Sequence, residues 1–294
     1  MTIKKWLSKN TNSLAGKTVA ISGATGGLGV VLCEYLVGLG ADLILLNRSE
    51  QKTNDLISIL KQKYPNSKQE FVKVDMQDFE SVKSVTEVLK SKSIDVLLLN
   101  AGAYKIPRCK TDIGYDNVFQ INFVSPYYMI RQLLPYLNKG ARVVVVGSIA
   151  HNYSKINEQD IDFSLAKKPS KVYGNAKRFL MYSLAEYFKN NNLDAKLAIC
   201  HPGITHTNIT NHFSRFTNAI IKYPMKVIFE KPQKAALNIL KGVFDETGYK
   251  EWIGPKIFNV WGMPKKQKLK TAKELEIQKI SQISEKIYQK TAKN

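Results

Sequence analysis

The sequence predicts an α/β fold, a doubly wound parallel sheet of about seven strands with helices on both faces. Three observations carry that expectation. Short apolar runs alternate with amphipathic stretches along most of the 294 residues, as in strand–helix–strand units. Val143 to Val146 is a pure β-branched run, suited to a strand buried on both faces. Ser22-Gly23-Ala24-Thr25-Gly26-Gly27-Leu28-Gly29 sits between an apolar run and a helical pattern. Glycines there permit a tight turn, and the helix N-terminus that follows attracts anions.

In chain order, the strands are expected at Thr18 to Ile21, Leu43 to Leu46, Phe71 to Val74, Val96 to Leu99, Val143 to Val146 and Leu197 to Cys200, with a short one near Trp252 and Ile253. Each is a brief run of β-branched or leucine residues. Helical spacing of apolar residues covers Leu28 to Leu39, Asn54 to Lys63, Glu80 to Leu89, Val118 to Leu137 and Val172 to Phe188. Pro126 bends the fourth of these or marks a later start. His151 to Ser170 is polar and reads as an excursion at the strand ends. Residues 204–230 are rich in Phe, Ile and Asn and lead into Lys231-Pro232, a helix entrance. A long insertion at that end of a sheet reads as a substrate lid. Phe213, Phe216, Ile220, Ile221, Tyr223, Met225 and Phe229 either line its pocket or pack against the sheet or a second subunit. Residues 265–294 are basic, with Leu275, Ile280, Ile283 and Ile287 at helical spacing, and predict a C-terminal helix packed on the body. One domain over residues 1–294 is expected.

No run is long enough to span a bilayer, and Met1 to Leu14 lacks the apolar core of a secretory signal. Cys33, Cys109 and Cys200 are scattered and odd in number, which predicts reduced thiols and a cytoplasmic location. The formal net charge of +20 admits nucleic acid, an anionic membrane or a phosphorylated ligand as partner. The lysines are spread without an aromatic-interleaved motif, so nucleic acid is not expected. A peripheral membrane contact through the basic tail, Trp6 and the N-terminal lysines stays open. His151, His201, His206 and His212 form no metal set; His201, beside Pro202-Gly203, is expected to be structural.

Tyr173 and Lys177 are four apart on one helical face. A cation beside a phenol favours the phenolate, and bringing a tyrosine from about 10 to about 7 takes about 4 kcal/mol. Such a pair is an acid/base for neutral pH. Taken singly, Ser148 reads equally as a cap at a strand end, and Asn122 as a packing residue.

Jointly these residues resemble the short-chain dehydrogenase/reductase family, in its compact Rossmann-type branch, from about Lys17 to about Gly254. Ser22 to Gly29 is similar to the family's Thr-Gly-x-x-x-Gly-x-Gly cofactor turn, with Ser22 in place of Thr. Asn100-Ala101-Gly102 resembles its segment after the fourth strand. Asn122, Ser148, Tyr173 and Lys177 match its catalytic tetrad in order, and His201-Pro202-Gly203 with Thr207 resembles the turn beside the nicotinamide. The resemblance implies that Tyr173 moves the proton, Ser148 holds the substrate oxygen, Lys177 lowers the Tyr173 pKa and binds the ribose, and Asn122 positions a relaying water. A bound cofactor's positive ring would add to the effect of Lys177.

It further implies a cofactor site at Ser22, Gly23, Thr25, Gly27, Leu28, Gly29, Arg48, Asp75, Met76, Asn100, Ala101, Gly102, Tyr173, Lys177, Pro202, Gly203 and Thr207. Leu45-Leu46-Asn47-Arg48 has no carboxylate to hold ribose hydroxyls, whereas Arg48 can pair with a 2′-phosphate. NADP is therefore expected over NAD, with Lys52 a possible aid. Asp75, with Met76, resembles the family's adenine-contacting acid; a loop-capping acid is the alternative. Gly147-Ser148-Ile149-Ala150-His151 and the wide Ser-to-Tyr interval resemble the retinol-dehydrogenase-like subgroup, implying an apolar carbonyl or alcohol substrate. A non-catalytic cofactor-binding sensor or scaffold is the alternative function. A homo-oligomer through Val118 to Leu137 and Val172 to Phe188 is also implied by the family.

Overall fold

The structure is a computed structural model that describes residues 1–204 and 230–293. Its centre is one continuous sheet in the order β3-β2-β1-β4-β5-β6-β7-β8. The strands are β1 (Thr18–Ser22), β2 (Asp42–Asn47), β3 (Gln69–Lys73), β4 (Val96–Leu99), β5 (Arg142–Val146), β6 (Lys196–Cys200), β7 (Glu251–Ile257) and β8 (Trp261–Lys268). All neighbours pair in parallel except β8, which returns antiparallel to β7. The order reverses between β1 and β4, so their C-terminal ends splay apart and open the crevice that holds the site.

Period-two alternation divides the strands between two cores. Val143 and Val145 face one, with α4 (Phe79–Lys90), α6 (Ser125–Leu133), α7 (Pro169–Asn190) and α9 (Glu274–Lys293). Val144 and Val146 face the other, with α1 (Ile3–Asn10), α2 (Gly27–Gly38), α3 (Glu50–Lys63) and α8 (Pro232–Phe244). Burial on both faces is why these central strands read as unbroken apolar runs.

Helix ends follow local chemistry. Ser49 caps α3 by accepting from the Lys52 amide, so that helix starts at Glu50, four residues before the apolar pattern predicts. Asp78 caps α4 through the Ser81 amide at 3.1 Å. α7 opens on Pro169, whose missing N–H costs nothing in the first turn. The expected helix over Val118 to Leu137 is composite. A short α5 (Asn117–Phe119) widens into a π-helical turn at Gln120–Val124 before α6 begins. Pro126 has no N–H for the Asn122 carbonyl, and Ser125 donates five residues back to Gln120.

Three expectations change. The sheet has an eighth strand: Lys265 to Lys268 belong to β8, and the C-terminal helix is only Glu274–Lys293. Pro264 and the lysines conceal β8 from a search for apolar alternation, yet both suit a strand at a sheet edge. Leu275 is 81% exposed and lies off the stripe of Ile277, Ile280 and Ile287 that packs on the body. Trp6 is 1% exposed in the α1 core contact, so it is no lipid anchor.

α9 crosses α6 and α7. The Ser183 and Ser284 hydroxyls pair at 2.7 Å, and the Arg131 guanidinium lies 4.1 Å from the ring centroids of both Tyr187 and Tyr288. The chain's own C-terminal helix thus packs on both of the helices expected to meet a second subunit. Among the described residues, no helix is long and apolar enough to cross a membrane.

Truncating the buried Trp6 removes the anchor of α1. Trp6→Ala should cost about 3–5 kcal/mol in urea unfolding; an unchanged midpoint would show that α1 is not docked.

Candidate active site

The glycine turn is built from three strands. β1 ends at Ser22, and Gly23 adopts φ +67°, the left-handed region that glycine occupies without strain. A Cβ on Gly23 would stand 2.8 Å from Ala101 Cα, and one on Gly29 2.1 Å from the Gly23 carbonyl oxygen. Neither position admits a side chain. Asn100 Nδ2 donates to the Gly23 carbonyl at 3.0 Å, and the Ala101 amide to Ser22 Oγ at 3.0 Å. From β2, buried Asn47 accepts from the Ala24 amide at 2.8 Å and donates to Thr53 Oγ1 at 3.2 Å. In the sequence its only signal is a polar residue closing an apolar strand. Gly26 offers α2 no side-chain cap, and no acid lies in the first turn, so the leading N–H groups stay free for an anion. Thr25 is half-buried beside this N-terminus, and Gly27 is exposed. The close-packed glycines and open helix end fit the diphosphate of a dinucleotide.

Arg48 and Asp75 lie at the ends of β2 and β3. Arg48 Nη1 stands 3.7 Å from Asp75 Oδ2, and Arg48 is 75% exposed. Asp75 Oδ1 accepts from the Gln77 amide at 3.0 Å, so the acid does cap its loop, while its other oxygen faces Arg48. Met76 is buried beneath, its carbonyl accepting from Ser125 Oγ at 2.7 Å.

Ser148, Tyr173 and Lys177 meet in a cavity of about 290 Å³, whose walls also include Leu28, Asn100 and Gly102. Pro202, Gly203 and His201 close one side; Tyr104, Ile149 and Tyr153 close another. Ser148 follows β5 and caps the 3₁₀ turn Ile149–Tyr153, accepting from the Ala150 amide at 3.2 Å. It is therefore both cap and cavity residue. Lys177, 2% exposed, donates to the Val146 carbonyl at 2.8 Å, and its Nζ lies 5.7 Å from the Tyr173 ring centroid. Burial brings its pKa down to about 8.

The Tyr–Lys spacing by itself, without the cofactor's positive ring, does not lower the Tyr173 pKa. Burial pushes its phenol up to about 12, against a hydrogen bond with Ser148 that acts the other way. Tyr104 packs edge-on against it, ring centroids 5.3 Å apart. The protein's own groups thus leave Tyr173 protonated at neutral pH, because loss of solvent outweighs a cation whose ammonium is directed at a backbone carbonyl.

Asn122 sits in the π-helical turn. Its Nδ2 donates to the Ala103 and Val118 carbonyls, both at 2.8 Å, while buried Oδ1 has no protein partner. A Cβ on Gly102 would lie 2.8 Å from that Oδ1 and 3.5 Å from Lys177 Nζ, so the amide oxygen and the ammonium converge on one glycine. An orphaned buried acceptor at that place fits a bound water. Thr207, His206, His212 and the apolar lid residues lie outside the described residues. Among the described residues, no cluster of His, Cys, Asp and Glu fits a metal ion.

The excursion after Ser148 conceals a buried network that motif reading missed. His151 Nδ1 lies 2.6 Å from the Ser148 carbonyl and Nε2 3.1 Å from Thr271 Oγ1. A carbonyl only accepts, so Nδ1 carries the proton and Thr271 donates to Nε2. Arg178, next to Lys177, donates to the His151 and Ser154 carbonyls and, at 2.7 Å, to Glu276 Oε2. His201 donates from Nε2 to the Asn259 carbonyl at 3.0 Å and stacks on Trp252, centroids 4.9 Å apart; His151 meets the same indole edge-on. The C-terminal segment therefore braces the turn that carries Ser148. The sequence signals were slight: a histidine three residues after Ser148 and an arginine beside Lys177.

Burial brings both imidazoles down to about 4 from 6.5. The unfolded chain takes up these protons first as the pH falls below 6.5, so stability present above that value is lost progressively toward pH 4. The loss is of order 3 kcal/mol per ring. Urea midpoints should fall steeply between about pH 6.5 and about pH 4, and His151→Gln should flatten that slope. A slope unchanged in the variant would show that His151 is not held neutral by the fold.

The fold is a doubly wound α/β sheet with a cavity at the point where the strand order reverses. A family model described as short chain dehydrogenase matches residues 17–217, and the chain belongs to that family. Polyprenol dehydrogenase of Homo sapiens is 26% identical over 231 residues, 75% of this chain and 70% of that protein. Retinol dehydrogenase 14 of Mus musculus is 30% identical over 214 residues, 67% of this chain and 64% of that protein. The crystal structure of an uncharacterized protein from Mycobacterium paratuberculosis has a TM-score of 0.75 at 22% identity, covering 98% of each chain. That likeness is one of fold.

Proposed function

We propose that this protein is an NADP(H)-dependent oxidoreductase acting on the carbonyl or alcohol group of an apolar small molecule. One observation carries the reading: Ser148, Tyr173 and Lys177 share a cavity with the glycine-turn residue Leu28 and with Pro202-Gly203. When bound, the nicotinamide supplies a hydride to a carbonyl carbon or takes one from an alcohol. The α2 N-terminus would hold the diphosphate, Arg48 would pair with the 2′-phosphate, and Asp75 and Met76 would bind the adenine. The end of β2 carries Asn47, held by Ala24 and Thr53, and Arg48, with no acid to favour NAD.

Tyr173, protonated at neutral pH, donates its phenolic proton to the oxygen that gains charge in reduction. Ser148 holds that oxygen by a hydrogen bond. Lys177 stabilises the phenolate left behind and is within reach of a water held by Asn122 Oδ1, which returns the proton from solvent. A pKa near 8 lets Lys177 take part in that exchange. The aromatic and aliphatic wall of Tyr104, Ile149 and Tyr153 supports an apolar substrate. The names of the relatives, a polyprenol and a retinol dehydrogenase, support the same class. All three thiols are free, which supports a reducing compartment such as the cytoplasm.

NADPH oxidation followed by absorbance across apolar aldehydes and ketones tests the reading. Tyr173→Phe should lose about 10²–10⁴-fold in turnover. Arg48→Ala should weaken NADPH by about tenfold and leave NADH unchanged, as expected for one charge-assisted hydrogen bond. Failure of the protein to bind either dinucleotide would sink the proposal.

A further inference from the structure

The tip of the hairpin between β7 and β8 carries two side chains, Ile257 and Phe258, that neither the core nor the proposed reaction uses. Its tip presents Ile257, 49% exposed, and Phe258, 85% exposed. Phe258 and Asn259 have φ of 50° and 58°. Asparagine tolerates that left-handed conformation, but a bulky side chain rarely adopts it. One residue thus carries two costs, a strained backbone and a hydrated aromatic ring. Glycine or asparagine at 258 would relieve both.

At the far end of the hairpin Lys268 stands opposite Glu251; nearest the tip the charged residues are Lys256 on β7 and Lys265 and Lys266 on β8. These lysines are exposed. Lysines on β8 discourage pairing at the open sheet edge. That role does not extend to Lys256, which lies on β7 next to the tip, nor to an apolar tip.

Position links the tip to the site. β7 runs parallel to β6, so its C-terminal end points the same way as the ends of β1 and β5 that deliver Ser22 and Ser148. The Asn259 carbonyl accepts from His201, and Val260 O lies 2.7 Å from where a Cβ on Gly203 would stand. His201 and Gly203 line the cavity. A surface seated on the tip would therefore lie next to that wall.

We propose that the β7–β8 hairpin docks the protein on an anionic lipid membrane. Phe258 and Ile257 enter the interfacial layer, and the surrounding lysines meet the headgroup charge. Two exposed apolar side chains are too few for a protein interface, which needs about 800 Å² per partner. An aliphatic Ile257 gives a nucleic acid no base-edge hydrogen bond. Both chemistries present, apolar and cationic, match an anionic membrane surface. Such docking would let an apolar molecule pass between bilayer and cavity with little exposure to water.

The test is sedimentation of the full chain with vesicles of phosphatidylcholine alone or with added phosphatidylserine, at low and high salt. Binding is expected only with phosphatidylserine, and weaker at high salt. Phe258→Asn keeps the turn, so its thermal midpoint should hold or rise while vesicle affinity falls about tenfold. Lys265→Gln with Lys266→Gln should lower affinity by about fivefold per lysine. Absence of binding to the phosphatidylserine vesicles at low salt overturns the proposal, as does binding that all three substitutions leave unchanged. A self-association seen by light scattering and abolished by Phe258→Asn, with vesicle binding unchanged, assigns the tip to a second copy and also overturns it. Tight binding to duplex DNA without vesicle binding does the same. No turnover is read, so these outcomes stand apart from the fate of the proposed reaction.

Discussion

The buried ammonium of Lys177 organises this structure. A cation removed from water has to be hydrogen-bonded, and its protein partner is the carbonyl of Val146, the last residue of β5. That bond seats α7 against the end of the central strand and brings Tyr173, one turn earlier, over Ser148. It leaves Lys177 Nζ beside Gly102, where a side chain would collide with Asn122 Oδ1. The π-helical turn then follows as the backbone device that turns Asn122 inward, with Pro126 helping to sustain it.

Around that cation several polar groups find partners far along the chain. Glu276 and Thr271 are distant in sequence from Ser148, yet each is one hydrogen bond from a group that contacts the Ser148 turn: Arg178 in one case, His151 in the other. Two neutral imidazoles pack on Trp252 between the turn and the β7–β8 hairpin. Buried polar networks of this kind stay ordered because each unmatched member carries a desolvation penalty. The matched family segment ends at residue 217, so the brace comes from the part of the chain outside it.

The high Tyr173 pKa shows how spacing and burial differ as evidence. Four residues on a helix put a cation near a phenol, but the ammonium points to a carbonyl and the phenol loses much of its hydration. What the cation does to the phenol depends on orientation and dielectric, and neither is written in the interval between two letters.

Local chemistry made much of the fold and site legible. β-branched runs mark strands because they are buried on both faces, and the glycines of the turn mark positions where a Cβ has no room. Ser148, Tyr173 and Lys177, which stand out in the sequence, line one cavity, with Asn122 behind Gly102. β8 was hidden because an edge strand needs no apolar alternation and tolerates Pro264. Trp6 and Leu275 were misplaced because an amphipathic stripe does not say which side of a helix meets a neighbour. By itself, then, the sequence determined what depends on short-range sterics and periodicity: the alternating elements, the turn and the residues at its rim. Only the tertiary structure decided which charges were buried, which carbonyl took the lysine, and that the C-terminal helix covers α6 and α7. Those outcomes depend on contacts between residues far apart in the chain, where packing and desolvation act on groups that no local pattern brings together.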